Sequence, residues 1–285
     1  SMNLSMDAPE KERRVALAHK ITAPDNPLAA RVMANRIWYQ HFGEGIVSTP
    51  GDFGANGGAP SHPELLDWLA RQLMRDEWSI KALHRTILLS NTYRQASTPD
   101  AAGLARDADA RLLWRFPPRR LEAEVIRDCI LQLSGKLDLT MEGPGFSTFQ
   151  ANDNYVRVYT PKETLGPAEW RRMVYMHKVR MERAPLFGSF DVPDAGQVCP
   201  KRGLSTTAIQ ALNLFNGSFV IDQSKHMAAL LERTGGDPVQ SAYQLAYGRS
   251  PLKEESSDAH AFIADQSLLA FCRAILNSNE LVFLP

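Results

Sequence analysis

The chain has 285 residues, 44% of them apolar, with 32 basic and 32 acidic side chains and no net charge. That length suits one large domain or two of about 150 residues, and the apolar share supports a sizeable core. The charge balance argues against a dedicated nucleic-acid binder. No run approaches the 18 or so apolar residues of a membrane span, and no segment reads as a signal peptide. Ser1-Met2 reads as a cloning scar in a disordered tail over 1–8, so the missing signal says nothing about a longer parent. Cys129, Cys199 and Cys272 form no CxxC or CxxCH motif, which excludes zinc ribbons, thioredoxin-like redox sites and haem attachment within the chain. Three is odd, so at least one thiol is unpaired. Three free thiols are expected, with one pairing left open.

In chain order, a short charged helix is expected over 9–20. Asp25-Asn26-Pro27 reads as cap and first turn of a helix running to Phe42, with Gly43 as its stop. Ala30, Met33, Ala34, Ile37 and Trp38 form its core face, and Arg31 and Asn35 share another. After a glycine-rich loop over 43–60, Ser61-His62-Pro63-Glu64 reads as a capping box in front of Leu65, Leu66, Trp68, Leu69 and Leu73. A third helix starts near Ser79 on the stripe Ile80, Leu83, His84, Ile87, Leu88. Residues 97–110 are polar enough for an internal boundary. A helix is then expected from Arg119, with Val125, Ile126, Cys129, Ile130 and Leu133 buried and Gly135 ending it.

Tyr155-Val156-Arg157-Val158-Tyr159 alternates like a strand, as does 172–177, which predicts a small antiparallel ribbon. Between residues 188 and 203 lies a run of about 16 residues without period, longer than most loops inside a compact domain. Phe190, Val192, Pro193, Val198, Cys199 and Pro200 favour packing, and Asp191, Asp194, Lys201 and Arg202 concentrate charge. Ser205-Thr206-Thr207 caps a helix lined by Ala208, Ala211, Leu212 and Phe215. Asn216, Asp237-Pro238 and Ser250-Pro251 read as further helix starts, and the last helix, 267–277, buries Leu268, Leu269, Cys272 and Ile275. The expected fold is mainly α: one compact domain over 9–285, of helical halves 9–135 and 186–285, with a β-ribbon inserted at about 150–180. The central loop is expected between the halves, its charges aimed inward.

The motifs resemble a known family, the C-terminal planctomycete-specific domain of unknown function found in secreted cytochrome-c-like multidomain proteins. The residues that carry the likeness are Asn26-Pro27-Leu28, Asn35-Arg36-Ile37-Trp38, His41-Phe42-Gly43, Thr49-Pro50-Gly51-Asp52-Phe53-Gly54, and Ser61-His62-Pro63-Glu64-Leu65-Leu66-Asp67-Trp68-Leu69. Further on they are Trp78-Ser79-Ile80-Lys81, Thr92-Tyr93-Arg94-Gln95, Arg119-Arg120-Leu121-Glu122-Ala123-Glu124, Phe190-Asp191-Val192-Pro193-Asp194, Gln210-Ala211-Leu212 and Leu276-Asn277-Ser278-Asn279-Glu280. Together they span about residues 12–284. Ala208-Ile209 stands where the family usually has Pro-Leu, and 253–266 looks shortened. The resemblance implies a secreted or periplasmic location as part of a longer chain whose genes are often associated with glycan breakdown. It implies no cofactor in this segment, with haem only in the upstream part, and other domains of the parent as partners. It supplies no catalytic residues.

His62 and Glu64 suggest a metal pair, although capping explains Glu64; His84 reads as a core histidine. Glu122 falls on the buried stripe of its helix and needs a partner, which Arg119, Arg120 or Arg202 supplies. A structural ion pair and a ligand-facing carboxylate are both open. Asp191 and Asp194 read as turn formers, as ion or ligand contacts, or as an acid/base pair like that of glycosidases. Thr206, Gln210 and Asn213 share a helix face, either solvated or a polar pocket wall. The reading that follows is a non-catalytic ligand-binding or assembly module, its ligand a glycan or a neighbouring domain, held by Arg119, Arg120, Asp191, Asp194, Arg202 and Gln210. Trp38, Tyr39, Tyr155, Tyr159 and Trp170 are candidate sugar-stacking rings. The alternative is a hydrolase or lyase acting on glycans through Glu122 with Asp191 or Asp194; the absence of a GxSxG motif weighs against it. No metal, nucleic acid or membrane span is expected.

Overall fold

Asn35 is where the first part of the chain is pinned. It sits fully buried on α2 (Ala29–Phe42), its amide donating to the Val47 carbonyl at 3.0 Å and its oxygen accepting from Val47 N–H at 2.8 Å. A buried amide must be satisfied, and this reciprocal pair satisfies it while fixing the loop that leaves the helix. Gly45 allows the approach: a Cβ there would lie 2.4 Å from the Val47 carbonyl oxygen and 2.8 Å from the Asn35 amide nitrogen. The computed structural model describes residues 7–150, 158–180, 182, 187–193 and 195–284, and the chain divides into two compact units, 1–119 and 120–284.

Unit 1 contains α1 (Glu10–Thr22), which buries nothing, and a core of α2, α3 (Pro63–Arg75) and α4 (Ile80–Leu88). Ile37, Trp38, Phe42, Leu66, Leu69, Leu73, Leu83 and Ile87 meet in its centre, each worth roughly 1.5–3 kcal/mol of burial. Gly43, at φ 76°, ends α2 by donating to the Tyr39 carbonyl, as expected. Asn26 does not cap α2. Its side chain accepts from Leu28 N–H in a local turn, and the helix begins three residues later. The capping box at Ser61 also fails to form: the Ser61 hydroxyl donates to the Ile46 carbonyl, His62 is the residue before the helix, and Glu64 is exposed. Ser79 caps α4 through Ala82 N–H, but Ile80 and Leu88 face solvent. His84 has the hydrogen-bonding partner expected of a core histidine: it is half-buried, and its Nδ1 lies 2.7 Å from His41 Nε2. The stretch 97–110 carries α5 (Ala101–Arg106).

The two-residue strand β1 (Arg119–Arg120) stands where a helix was expected to begin. The helix proper, α6 of unit 2, is Ala123–Leu133. Its buried face is Ala123, Ile126, Arg127, Ile130, Leu131 and Leu133. Ile126, Ile130 and Leu133 are buried as expected, Cys129 is half-buried, and the face is turned so that Val125 is 42% exposed and Arg127 only 1%. The Arg127 guanidinium donates to the carbonyls of Arg171 and Glu169 and lies 5.0 Å from the centre of the Phe146 ring. Burial pulls its pKa down to about 10, against the favourable charges of Asp128 and Glu169, so it stays cationic at neutral pH.

β2 (Phe149–Gln150) pairs antiparallel with β3 (Thr160–Pro161). This is the observed ribbon. The expected first strand lies mostly within 151–157, outside the described residues, and the expected second strand at 172–177 is a 3₁₀ turn at Met173–Tyr175. The remainder is helical: α7 (Ala208–Asn216), α8 (Ser218–Thr234), α9 (Pro238–Tyr247), α10 (Lys253–Asp265), α11 (Leu268–Leu276) and α12 (Asn279–Val282), followed by β4 (Phe283–Leu284), the partner of β1. Val220, Met227, Leu231, Cys272 and Leu276 pack α8 on α11. Asp237 and Ser267 cap α9 and α11 as expected, whereas α10 starts at Lys253, beyond Ser250-Pro251, and α8 is preceded by Gly217, not capped by Asn216. Leu269 is 38% exposed, off the buried face of α11. The fold is mainly α, and no helix among the described residues is long and apolar enough to cross a membrane.

The Arg127 hydrogen bonds predict that Arg127→Met, which keeps the bulk but leaves two carbonyls without their donor, costs about 2–4 kcal/mol. Denaturant unfolding measures it; a loss under about 1 kcal/mol would show that the guanidinium holds nothing in place.

Candidate functional site

The irregular loop ahead of α7 is clamped at both ends. At its start, Phe187 and Phe190 are buried, with ring centres 5.7 Å apart, and the Arg120 guanidinium lies 5.1 Å from the Phe190 ring centre. Asp191 adopts φ 57°, which bulkier residues avoid, and its carboxylate accepts from Ser205 N–H at 2.7 Å and from the Ser205 hydroxyl at 2.8 Å. Gln210, 1% exposed, ties the knot. Its amide donates to the Ser189 carbonyl at 2.8 Å and approaches Asp191 at 3.5 Å, while its oxygen accepts from Thr207 N–H and Arg120. Thr207 accepts from Gln210 N–H in return, so the capping box that starts α7 also anchors the loop. Gln210 and Asn213, which donates to the Ser189 hydroxyl, therefore mark the buried side of α7, with Leu214. The expected apolar stripe is the outer one: Leu212 is 57% and Phe215 41% exposed.

At the loop's other end Arg202 pairs with Glu124 at 2.6 Å and Glu122 at 3.4 Å. Between the clamps, residues 195–201 are exposed, so Val198, Cys199 and Pro200 do not pack as expected. Asp194 lies outside the described residues.

Arg202 closes one end of a cleft of about 630 Å³ in unit 2. Its floor is the outer face of α6, where Val125, Asp128, Cys129 and Gln132 recur at i, i+3, i+4 and i+7. The facing wall runs from Arg172 to Lys178 and includes Met173 and Met176. Asp128 joins floor to wall: it accepts from Met173 N–H at 2.8 Å and stands 3.5 Å from Arg172. Burial, reinforced by Asp128, pushes the Cys129 thiol up, so it stays protonated and is a poor nucleophile. All three cysteines are free thiols.

The structure thus brings Glu122 and Arg202 together at the cleft and holds Asp191, Arg120 and Gln210 in the loop clamp, outside the cleft lining. Glu122 is the residue before α6 and caps nothing. Arg119 lies in unit 1, its side chain against Gly43. Trp38 and Tyr39 are core residues at 5% and 6% exposure, so neither offers a face to a sugar. Trp170 donates to the Leu165 carbonyl and packs beside His226; Tyr159 packs edge-on to Phe149; Tyr155 is outside the described residues. Asp128 and Gln132 went unremarked in the sequence, and Cys129 and Arg172 were read there as a stripe residue and part of a strand-like run, not as site residues. The signal available was the mixed spacing of Glu124, Asp128 and Gln132 beside Val125 and Cys129, which marks an open helix face.

A family model described as PSD1, protein of unknown function (DUF1553), matches residues 13–263. The chain belongs to the PSD1 family. The match takes in the cleft, the loop clamp and α8, so the site is part of the PSD1 domain and not an appendage to it. No curated protein and no solved structure matches the chain.

Burial raises the Asp191 pKa, but the Ser205 and Gln210 hydrogen bonds and the Arg120 charge outweigh this and leave it below the ordinary 3.8. A carboxylate with a depressed folded pKa contributes stability that is present above its unfolded pKa and lost as pH falls through the folded one. Unit 2 is therefore expected to lose stability as pH falls below about 4, through the depressed pKa of the folded carboxylate. Asp191→Asn, with a flatter dependence in that range and about 1–3 kcal/mol less stability at pH 7, checks it by unfolding at stepped pH.

Proposed function

We propose that the chain is a non-catalytic binding and assembly module of an exported multidomain protein, and that the α6 cleft seats a segment of a neighbouring domain. The observation that carries the reading is the cleft itself. Its volume of about 630 Å³ falls in the range of ligand sites, and apolar Val125, Leu137, Met173, Val174 and Met176 line it together with the ion pairs Glu124–Arg202 and Asp128–Arg172. Peptide segments match such a mixed surface, with apolar side chains for the one set of residues and charged groups for the other. A glycan is the weaker ligand because no aromatic ring lines the cleft among the described residues. Export and the longer parent rest on the motif resemblance. A glycan hydrolase or lyase would need a free carboxylate pair astride a bond, whereas Glu122 and Glu124 share one arginine and Asp191 is engaged by Ser205.

The test is a thermal-shift and calorimetric screen of the chain against overlapping peptides from the rest of its parent and against a glycan panel. Val125→Lys, which puts a cation on the cleft lining at a position already 42% exposed, serves as the control. A parent peptide is expected to raise the melting temperature by about 2–4 °C near ten times its Kd, and Val125→Lys to lose that shift while unfolding within about 1 °C of the unsubstituted chain. Equal binding by Val125→Lys, or turnover of any glycan, would overturn the reading.

A further inference from the structure

A second, smaller cavity of about 70 Å³ lies in unit 2, with Met176 contributing to both its wall and that of the α6 cleft. By the usual measure about 10–15 Å³ holds one water, so this space takes several waters or one small ion. Its floor is the start of α8, where Ser218 and Phe219 line it. The first intrahelical bond runs from Ile221 N–H to the Gly217 carbonyl, so the amides of Ser218, Phe219 and Val220 have no partner inside the helix. The residue that would normally cap them is Gly217, which has no side-chain oxygen. A helix of 17 residues therefore begins at the cavity with uncapped N–H groups and the positive end of its dipole.

An independent observation points the same way. Thr148 lines the cavity at 6% exposure, and its buried hydroxyl has no hydrogen-bond partner among the described residues. Buried hydroxyls without a partner are rare and costly. Two cations, the buried Arg127 and Lys162, and two carboxylates, Glu163 and Asp222, line the space. Of the two lining carboxylates, Asp222 is bound to Lys225 at 2.8 Å and Glu163 is exposed. Lys162 is likewise paired, with Glu169 at 2.7 Å, and Arg127 with Asp128 at 3.5 Å, so the lining charges balance and the α8 amides and the Thr148 hydroxyl are the groups left to receive a ligand.

We propose that this cavity binds a small oxyanion of the carboxylate, sulfate or phosphate class, received by the N-terminal amides of α8 and by the Thr148 hydroxyl. Helix N-termini bind such groups through oriented amides and the dipole together. The site is separate from the α6 cleft and does not depend on a ligand there.

Calorimetry and thermal shift with sodium phosphate, sulfate and acetate, each against chloride at equal ionic strength, test the proposal on the whole chain. Two variants remove donors without damaging the fold. Thr148→Val deletes the unpartnered hydroxyl. Ser218→Pro deletes one amide at the first helical position, where proline is favoured, and Gly217 at ψ 133° already has the extended backbone that precedes a proline. At least one of the three anions is expected to bind the unsubstituted chain, and each variant to bind it about ten- to hundredfold more weakly. In chloride alone, Thr148→Val is expected to match or exceed the melting temperature of the unsubstituted chain. The response to acetate against phosphate and sulfate distinguishes a planar from a tetrahedral ligand. Equal gains in all three proteins would reduce the effect to general salt stabilisation and overturn the proposal. So would a Thr148→Val protein destabilised in chloride, because its hydroxyl would then already be satisfied by water.

Discussion

The buried Arg127 guanidinium is the constraint around which unit 2 is arranged. A cation at 1% exposure survives only if its donors are used, and here the carbonyls of Glu169 and Arg171 use them, with Phe146 and Phe219 beside its plane. That requirement fixes three things at once. It turns α6 so that Ile126, Ile130 and Leu131 face α8, it holds the 169–171 segment against the helix, and it brings Asp128 onto Met173 N–H. The wall of the cleft follows from the same interactions, since residues 172–178 continue from the anchored segment.

The loop before α7 works by a different principle. It has little repetitive structure, and its order comes from a few side chains that each serve several backbone groups. Gln210 caps a helix, holds the Ser189 carbonyl and receives Arg120; Asp191 holds Ser205 twice. The clamp fixes the ends and leaves residues 195–201 on the outside. Arg202, at the far end, then reaches back to Glu122 and Glu124 and bounds the cleft. The cleft and the anion cavity are thus products of one framework: an anchored α6, a second wall tied to it, and α8 packed behind with its N-terminus uncapped.

Sequence periodicity located α6 with Ile126, Ile130 and Leu133 on its buried face but put Val125 there in place of Arg127, and it located α7 but misassigned its face. In α6 the stripe through Val125 and Cys129 is nearly as apolar as the true one, and nothing local says that an arginine lies inside; only the two waiting carbonyls, some 40 residues on, decide it. In α7 the apolar face is the exposed one, because Gln210 is needed by the loop and is buried with Leu214. Helix starts at Ser79, Thr207, Asp237 and Ser267 were legible from local capping, whereas the equally local caps Asp100 and Ser278 went unread, and Ser61, whose hydroxyl is taken by the distant Ile46 carbonyl, was read as a cap it is not. Of the candidate site, Glu122 and Arg202 were found because unpaired charges in apolar settings demand partners, while Asp128, Cys129 and Arg172 were missed because each looks ordinary alone.

The sequence by itself determined that the protein is mainly helical, where most helices lie, that a long irregular loop precedes Thr207, and that its charges need partners. These follow from interactions between residues a few positions apart, which spacing and side-chain type record directly. The tertiary structure alone decided which face of each helix is buried, where each charge finds its partner, and that a cleft and a small cavity are left between the packed elements. Those outcomes depend on pairings between residues tens of positions apart, such as Arg127 with Glu169 and Arg120 with Gln210, and pattern along the chain carries no record of them.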